Sequence, residues 1–226
     1  MNKNSPVGHV VVDALVRCDA LRISTIKPFT LKSGLLSPVY FDCRKLISDP
    51  AVMSLVTGLF HYALAEFDYE PRRGYILLEK PPFPVIAGGE SAGIPFATRL
   101  AASMGLSSAY VRKAQKEYGT KGKVEGASVE DRRVVLVEDL ITDAGSKLEF
   151  IEALREAGAE VKLCMVVFDR QQGGEKALKE HGVELLSLAN IDSLHNSGLV
   201  PAEVSDYFSD PAAWDKTFRE QHPDRV

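Results

Sequence analysis

Glu138 and Asp139 stand side by side at the end of four aliphatic residues in VVLVEDLITDAGSK (134–147), and the small residues of TDAGS (142–146) follow at once. Two adjacent carboxylates at the mouth of an apolar strand are costly to bury unless something offsets their charge. Ionised carboxylates only accept hydrogen bonds, so the paired hydroxyls of a sugar suit them. A divalent cation with its water is a second fit, and capping of the next helix is the plain alternative. The turn Thr142-Asp143-Ala144-Gly145-Ser146 has the opposite preference. Its backbone N–H groups and the helix start behind it make an anion site suited to phosphate. An acid pair beside a phosphate cradle describes a ribose-phosphate site.

Three other stretches have chemistry at a strand end. Gly88-Gly89-Glu90-Ser91-Ala92-Gly93 lets backbone amides approach a diphosphate closely, although such turns also serve tight packing alone. Arg112, Lys113, Lys116, Lys121 and Lys123 crowd around Gly119 and Gly122. A cationic, glycine-hinged loop can close on pyrophosphate and exclude water; a solvated surface loop is the alternative. FDRQQGG (168–174) puts Arg170 at a strand end, where a guanidinium can pair with a flat anionic ring. Tyr40 and Phe41 could stack on such a ring or belong to the core.

The elements that must position these residues alternate along the chain. Residues 8–22 have the spacing of an amphipathic first helix, with Leu21–Ile23 at its end. Segment 26–50 reads as turns and short strands, and Pro50 opens a helix through residue 67. Strands are expected at 83–89, 107–113, 132–139 and 160–170, with helices at 93–105 and 146–158. A charged segment lies between 113 and 130, and 174–190 supplies a helix and a last strand. Aliphatic strands alternating with helices predict an α/β fold with a mostly parallel sheet covered on both faces. Its ligands belong beyond the carboxyl ends of the strands. The tail from 191 reads as polar and helical.

Composition narrows the class. The 226 residues, 45% hydrophobic and 26% charged, are those of a globular protein with one ordinary domain. A net charge of -4 gives no general reason to expect nucleic acid as a partner. The N-terminal stretch is broken by Asp13, Arg17 and Asp19, and no run has the roughly 18 apolar residues of a membrane span. Three dispersed cysteines, Cys18, Cys43 and Cys164, suggest reduced thiols and a cytoplasmic protein without a membrane association.

The order of elements and the acid-pair motif resemble the type I phosphoribosyltransferases. Within them, TLKSGLLSPVYFD (30–42), GGESAGIP (88–95), VRKAQKEYG (111–119) and FDRQQGG are similar to the signatures of the orotate phosphoribosyltransferases. The likeness runs from about residue 26 to 175. It implies a type I phosphoribosyltransferase fold with a mostly parallel central sheet flanked by helices and a small N-terminal hood. Residues 1–226 would form one domain: hood 1–48, core 49–190 and helical tail 191–226.

The same resemblance implies transfer of ribosyl 5-phosphate from 5-phosphoribosyl 1-diphosphate (PRPP) to N1 of orotate, with Mg²⁺ held by PRPP and water near Glu138 and Asp139 rather than by direct protein ligands. PRPP would meet Lys32, Glu90, Ser91, Glu138, Asp139, Thr142, Asp143, Ala144, Gly145 and Ser146. Orotate would meet Lys32, Tyr40, Phe41, Thr142 and Arg170. Arg112, Lys113 and Lys116 would act on the pyrophosphate, and Asp139 is the available proton acceptor if orotate does not already bind as its N1 anion. Relatives carry a cis peptide in the glycine turn, here expected between Glu90 and Ser91. They also work as homodimers, with loop 112–123 completing the neighbouring site. A purine-base phosphoribosyltransferase would lack the TLKSG and RKAQK segments; a PRPP-sensing regulator on the same fold would lack the loop or add a DNA-binding extension. Within these 226 residues no fused decarboxylase is expected.

Three positions depart from the family pattern. Tyr118 stands where histidine is usual, Ala92 where many members have lysine, and Asp143 where a small neutral residue is usual. A carboxylate inside a phosphate cradle would repel its ligand, so Asp143 is expected to turn outward.

Overall fold

The structure, a computed structural model, describes residues 6–31, 34–67, 85–114 and 122–225. In chain order it contains α1 (Pro6–Arg17), β1 (Leu21–Ile23), β2 (Phe29–Thr30), β3 (Leu36–Ser37), β4 (Val39–Phe41), a 3-10 turn at Cys43–Ser48 and α2 (Pro50–Phe67). Then follow β5 (Val85–Gly89), α3 (Gly93–Met104), β6 (Ser107–Val111), β7 (Val124–Gly126), β8 (Arg133–Ile141) and α4 (Gly145–Glu156). The chain continues through β9 (Glu160–Asp169), α5 (Gly174–Glu180), β10 (Glu184–Asn190), α6 (Ile191–Asn196), α7 (Ala202–Ser209) and α8 (Pro211–Gln221). These elements divide into two compact units. One is Pro50–Leu188; the other joins the chain up to Asp49 with the chain from Ala189.

The first unit is built on a six-stranded sheet in the order β10-β9-β8-β5-β6-β7. The pairs β5–β6, β5–β8 and β8–β9 are parallel, and β7 runs antiparallel on the edge. Val134–Val137 of β8 and all five residues of β5 are buried, as are Leu163–Asp169 of β9. Such continuous aliphatic runs suit parallel strands with both faces covered. Leu136 lies opposite Ala87 on one side and Cys164 on the other, at the centre of the sheet. Because four strands run in parallel, Gly89, Val111, Ile141 and Asp169 end along the same edge, where the residues with chemistry begin.

In the second unit, α1 buries Val11, Val12, Ala14 and Leu15, and Gly8 lies against Ser193 of α6 so closely that a Cβ there would collide with it. Two small antiparallel pairs, β1–β4 and β2–β3, occupy the N-terminal segment. The C-terminal segment contributes a run of rings: Tyr207 meets Trp214 edge-on, and Trp214 stacks on Phe218 at 5.1 Å.

Two expectations change. Leu21–Ile23 is not the end of the first helix but a strand paired with Val39–Phe41. The helix stops earlier because Asp19 adopts a left-handed conformation (φ 52°), with its N–H on the Val16 carbonyl. The charged segment before residue 130 contains strand β7, which one apolar residue in three (Val124, Glu125, Gly126) could not announce. No helix among the described residues is long and apolar enough to cross a membrane.

Candidate active site

β8 delivers the acid pair to the carboxyl edge, but to two different environments. Glu138 is only 4% exposed, while Asp139 beside it is half-buried. One Glu138 oxygen, Oε2, meets Lys147 Nζ at 3.2 Å, with Lys147 projecting from the first turn of α4. The other oxygen, Oε1, faces Gly89 and Gly93, and a Cβ at either glycine would collide with it. The Gly89 amide favours the ionised form, yet Oε1 receives no hydrogen bond of good geometry. Burial pushes the Glu138 carboxyl up to about 7, against the pull of Lys147. The expectation that both acids face a sugar therefore meets a difference. Alternation along β8 turns Glu138 under the glycine turn and leaves Asp139 as the accessible acid.

The glycine turn is tightly built. A Cβ at Gly88 would lie 2.7 Å from backbone atoms of Gly93 and Ile94, and one at Gly89 would also strike the Phe150 ring. The Glu90–Ser91 peptide is cis. Glu90 takes the Lys113 backbone N–H at 2.8 Å through Oε2, while its own N–H donates to the Val111 carbonyl. The turn after β5 and the start of the cationic segment after β6 are thus joined.

Beyond Val111, the Arg112 N–H donates to the Lys123 carbonyl at 2.9 Å, continuing the β6–β7 pairing by one rung. The Arg112 guanidinium lies 3.5 Å from Glu125 on β7, whose other oxygen accepts from the Tyr110 hydroxyl at 2.6 Å. Arg112 is thus engaged by its own hairpin, whereas Lys113 is exposed. Lys116, Tyr118, Gly119 and Lys121 lie outside the described residues, as does Lys32.

The turn after β8 is open by comparison. Ala144 is buried in a left-handed conformation (φ 70°) and its side chain does not cap α4. Gly145 and Ser146 are exposed. Asp143 is exposed too, as expected, but its carboxylate bends back to accept the Gly145 N–H at 3.1 Å. It therefore occupies one donor of the very cradle from which its charge was expected to turn away.

At the end of β9, Asp169 is buried and its Oδ1 accepts the Gln171 N–H at 2.8 Å. Burial raises its carboxyl above the usual range, and the Gln171 N–H pulls it back. Arg170, half-buried, donates its N–H to the Ile141 carbonyl, and Gly174 sits where a Cβ would strike Ile141 and Thr142. The 169–174 turn is thereby packed on the start of the turn after β8. In the N-terminal unit, β4 turns Tyr40 and Phe41 to opposite faces. Phe41 is buried there, against the expectation of a stacking platform, while Tyr40 is half-buried. Arg22 on β1 lies over the rings of Tyr40 and Phe29, 5.1 and 5.5 Å from their centroids.

Lys147, Glu125 and Arg22 went unseen in the sequence. Lys147 left one signal: a lysine in the first turn of a helix, where the dipole favours acids, asks for a local carboxylate. A cavity of about 600 Å³ lies away from all these groups, at the amino ends of β8 and β9, with Asp131, Arg155, Lys162 and His181 among its lining.

Comparison with known proteins adds to this geometry. A phosphoribosyl transferase domain family matches residues 65–193. The chain is 38% identical over 220 residues to an orotate phosphoribosyltransferase of Cereibacter sphaeroides, covering 92% of this chain and 90% of that one. It is similar to the crystal structure of orotate phosphoribosyltransferase from Aeropyrum pernix, with 31% identity and a TM-score of 0.66 over 84% of this chain and 99% of that one. It is also similar to the structure of Leishmania donovani UMP synthase, with 29% identity and a TM-score of 0.69 over 97% of this chain, which spans 43% of that longer protein.

Proposed function

The chain belongs to the phosphoribosyltransferase family, and on that premise we propose that it is an orotate phosphoribosyltransferase of pyrimidine nucleotide synthesis. It joins N1 of orotate to C1′ of PRPP as the C1′–oxygen bond to pyrophosphate breaks and its electron pair leaves with the pyrophosphate. If orotate enters as its N1 anion, no proton has to be moved; otherwise Asp139 is the nearby acceptor. One observation carries this reading: β8 places an accessible acid and an open small-residue turn next to the glycine turn after β5, within a chain 38% identical to an orotate phosphoribosyltransferase.

The roles follow from the chemistry at each strand end. Asp139 accepts from the ribose hydroxyls, and residues Thr142–Ser146 with the α4 N-terminus hold the 5-phosphate. Glu138 supports PRPP from beneath, by holding the Gly89–Gly93 turn and Lys147 in place. The Ser91 backbone amide, in a turn that Glu90 ties to Lys113, joins Lys113, Lys116 and Arg112 in neutralising the departing pyrophosphate. For Arg112 this requires release from Glu125. Tyr40, Lys32, Thr142 and Arg170 face the orotate ring and its carboxylate, while Phe41, on the opposite face of β4, packs in the core.

Mg²⁺ fits this donor set as a companion of PRPP. Glu138 is buried and engaged by Lys147, while Asp139 is the more accessible carboxylate on the side where the cation's water would lie. Bound there, the cation would neutralise diphosphate charge. Loop 112–123 would complete the site of a second copy, as the resemblance implies. The test is direct. Protein, Mg²⁺, PRPP and orotate should together consume orotate absorbance, and chelation should stop the reaction. Turnover of adenine or hypoxanthine instead would select a purine enzyme, and PRPP binding without turnover a regulator.

A further inference from the structure

The C-terminal helix holds the hairpin that the proposed function places against the substrates. α8 carries a buried acid, Asp215, in mid-helix, where aspartate is a poor helix former and a buried carboxylate is costly without partners. Its Oδ1 accepts the Leu36 backbone N–H at 2.9 Å, across 179 residues of sequence. The same oxygen accepts Arg219 Nε at 2.9 Å, one helical turn on. Arg219 then donates a second guanidinium N–H to the Gly34 carbonyl at 3.1 Å. An acid and a base on one helix face thus take one donor and one acceptor from the same short hairpin.

The hairpin needs such help. β2 and β3 are two residues each, paired only at Phe29–Ser37 and Thr30–Leu36, and two strands of that length are not stable alone. Its tip closes through Leu31 N–H to the Leu35 carbonyl and Gly34 N–H to the Leu31 carbonyl, with Gly34 left-handed (φ 84°). Leu36 is buried, so without Asp215 its N–H would have no water to turn to. The helix is in turn well anchored. Asp210 caps it through Ala212 and Ala213, and the Trp214 and Phe218 rings stack on its buried side.

We propose that Asp215 and Arg219 are positioning residues that hold the pairing of Phe29–Thr30 with Leu36–Ser37 in register, and through it the binding of orotate and PRPP. The proposal rests on the functional reading above, which assigns to the substrates both Lys32, next in sequence after Leu31, and Tyr40, whose ring lies 5.4 Å from that of Phe29 in this hairpin. It assigns to the C-terminal tail a part in substrate affinity rather than in chemistry.

Full-length Arg219→Ala, Arg219→Lys and Asp215→Asn test it by two readouts. Hydrogen exchange at the Leu36 amide should quicken about tenfold or more in Arg219→Ala and Asp215→Asn. KM for orotate and PRPP should rise about tenfold, with kcat within about twofold of wild type and Tm unchanged in Arg219→Ala. Arg219→Lys, which keeps the charge but not the fork, should restore only part of the affinity. Should Asp215→Asn fail to fold, Arg219→Ala alone decides. Unchanged Leu36 exchange would overturn the clamp. Faster exchange with wild-type KM for both substrates, or kcat loss that merely tracks a lower Tm, would overturn its role in positioning. If the wild type does not consume orotate, the functional reading fails by itself. The clamp is then judged by Leu36 exchange and by the PRPP Kd from calorimetry, where equal Kd in wild type and Arg219→Ala counts against it.

Discussion

Two strand-to-helix turns of the core unit, after β5 and after β8, use small residues for different ends. In the turn after β5, Gly88, Gly89 and Gly93 sit where any Cβ would strike backbone, Glu138 or Phe150. In the turn after β8, a Cβ on Gly145 would meet nothing closer than Asp143 Oδ1 at 3.7 Å. The first turn is closed on the protein by a carboxylate beneath it and by the Glu90 link to Lys113. The second is open to solvent, and its own Asp143 fills one of its donors. Glycine in the first turn serves close packing, and Gly145 in the second leaves the turn exposed. Similar small residues therefore build a packed floor in one case and an open turn in the other.

The sharpest way to break the comparison is Lys147→Met, which removes the counter-charge under the closed turn. Leaving a buried acid unpaired should cost about 3–5 kcal/mol at neutral pH and above. The pH dependence gives the sign. Glu138 has its carboxyl raised in the folded protein from 4.5 to about 7, so between those values the folded state holds a proton that the unfolded state has lost. Stability therefore falls as pH rises through that window. Without Lys147 the carboxyl rises further, so the loss on denaturant titration should be clearly larger at pH 8 than at pH 5. Equal losses would show that the pair is not what holds the turn.

Next in size is Gly89→Ala, whose Cβ has no room beside Glu138 and Phe150. It should lower stability by about 1–3 kcal/mol and weaken PRPP binding with it. The same change at Gly145 should leave Tm unchanged or slightly raised, since nothing there is displaced. A similar response at both sites would erase the distinction between the turns.

Smaller effects sharpen it. Glu90→Ala removes the acceptor for the Lys113 N–H and should lower kcat/KM about tenfold, with KM for orotate nearly unaffected. Asp143→Asn should reduce the PRPP KM about twofold to fivefold, because a phosphate no longer competes with a carboxylate for the Gly145 N–H. A raised KM would show instead that Asp143 helps to shape the cradle.

Much of the core unit was legible in its residues. The continuous aliphatic runs of β5, β8 and β9 and the glycine and proline punctuation between elements carry their own assignment, because burial on both faces admits little else. Local exceptions were not legible. The left-handed Asp19 that ends α1 has no glycine or proline to mark it, and β7, with its single apolar residue, depends on pairing with β6. At the site, the kinds of group were readable, but their engagement was not. Arg112 has Glu125 beside it and Glu138 has Lys147, through contacts set by strand register and helix placement.

The sequence by itself determined that an acid pair, a small-residue turn, a glycine turn and a cationic segment would meet at one sheet edge, since parallel strands end together. Tertiary structure alone decided which acid remains accessible. Alternation along β8 sends one carboxylate to each side, and only the packing of Gly89, Gly93, Phe150 and Lys147 makes the Glu138 side an interior. The same holds for Asp215, an ordinary helical residue in sequence. Its meaning lies in a backbone N–H 179 positions away, which only the folded chain brings within 2.9 Å.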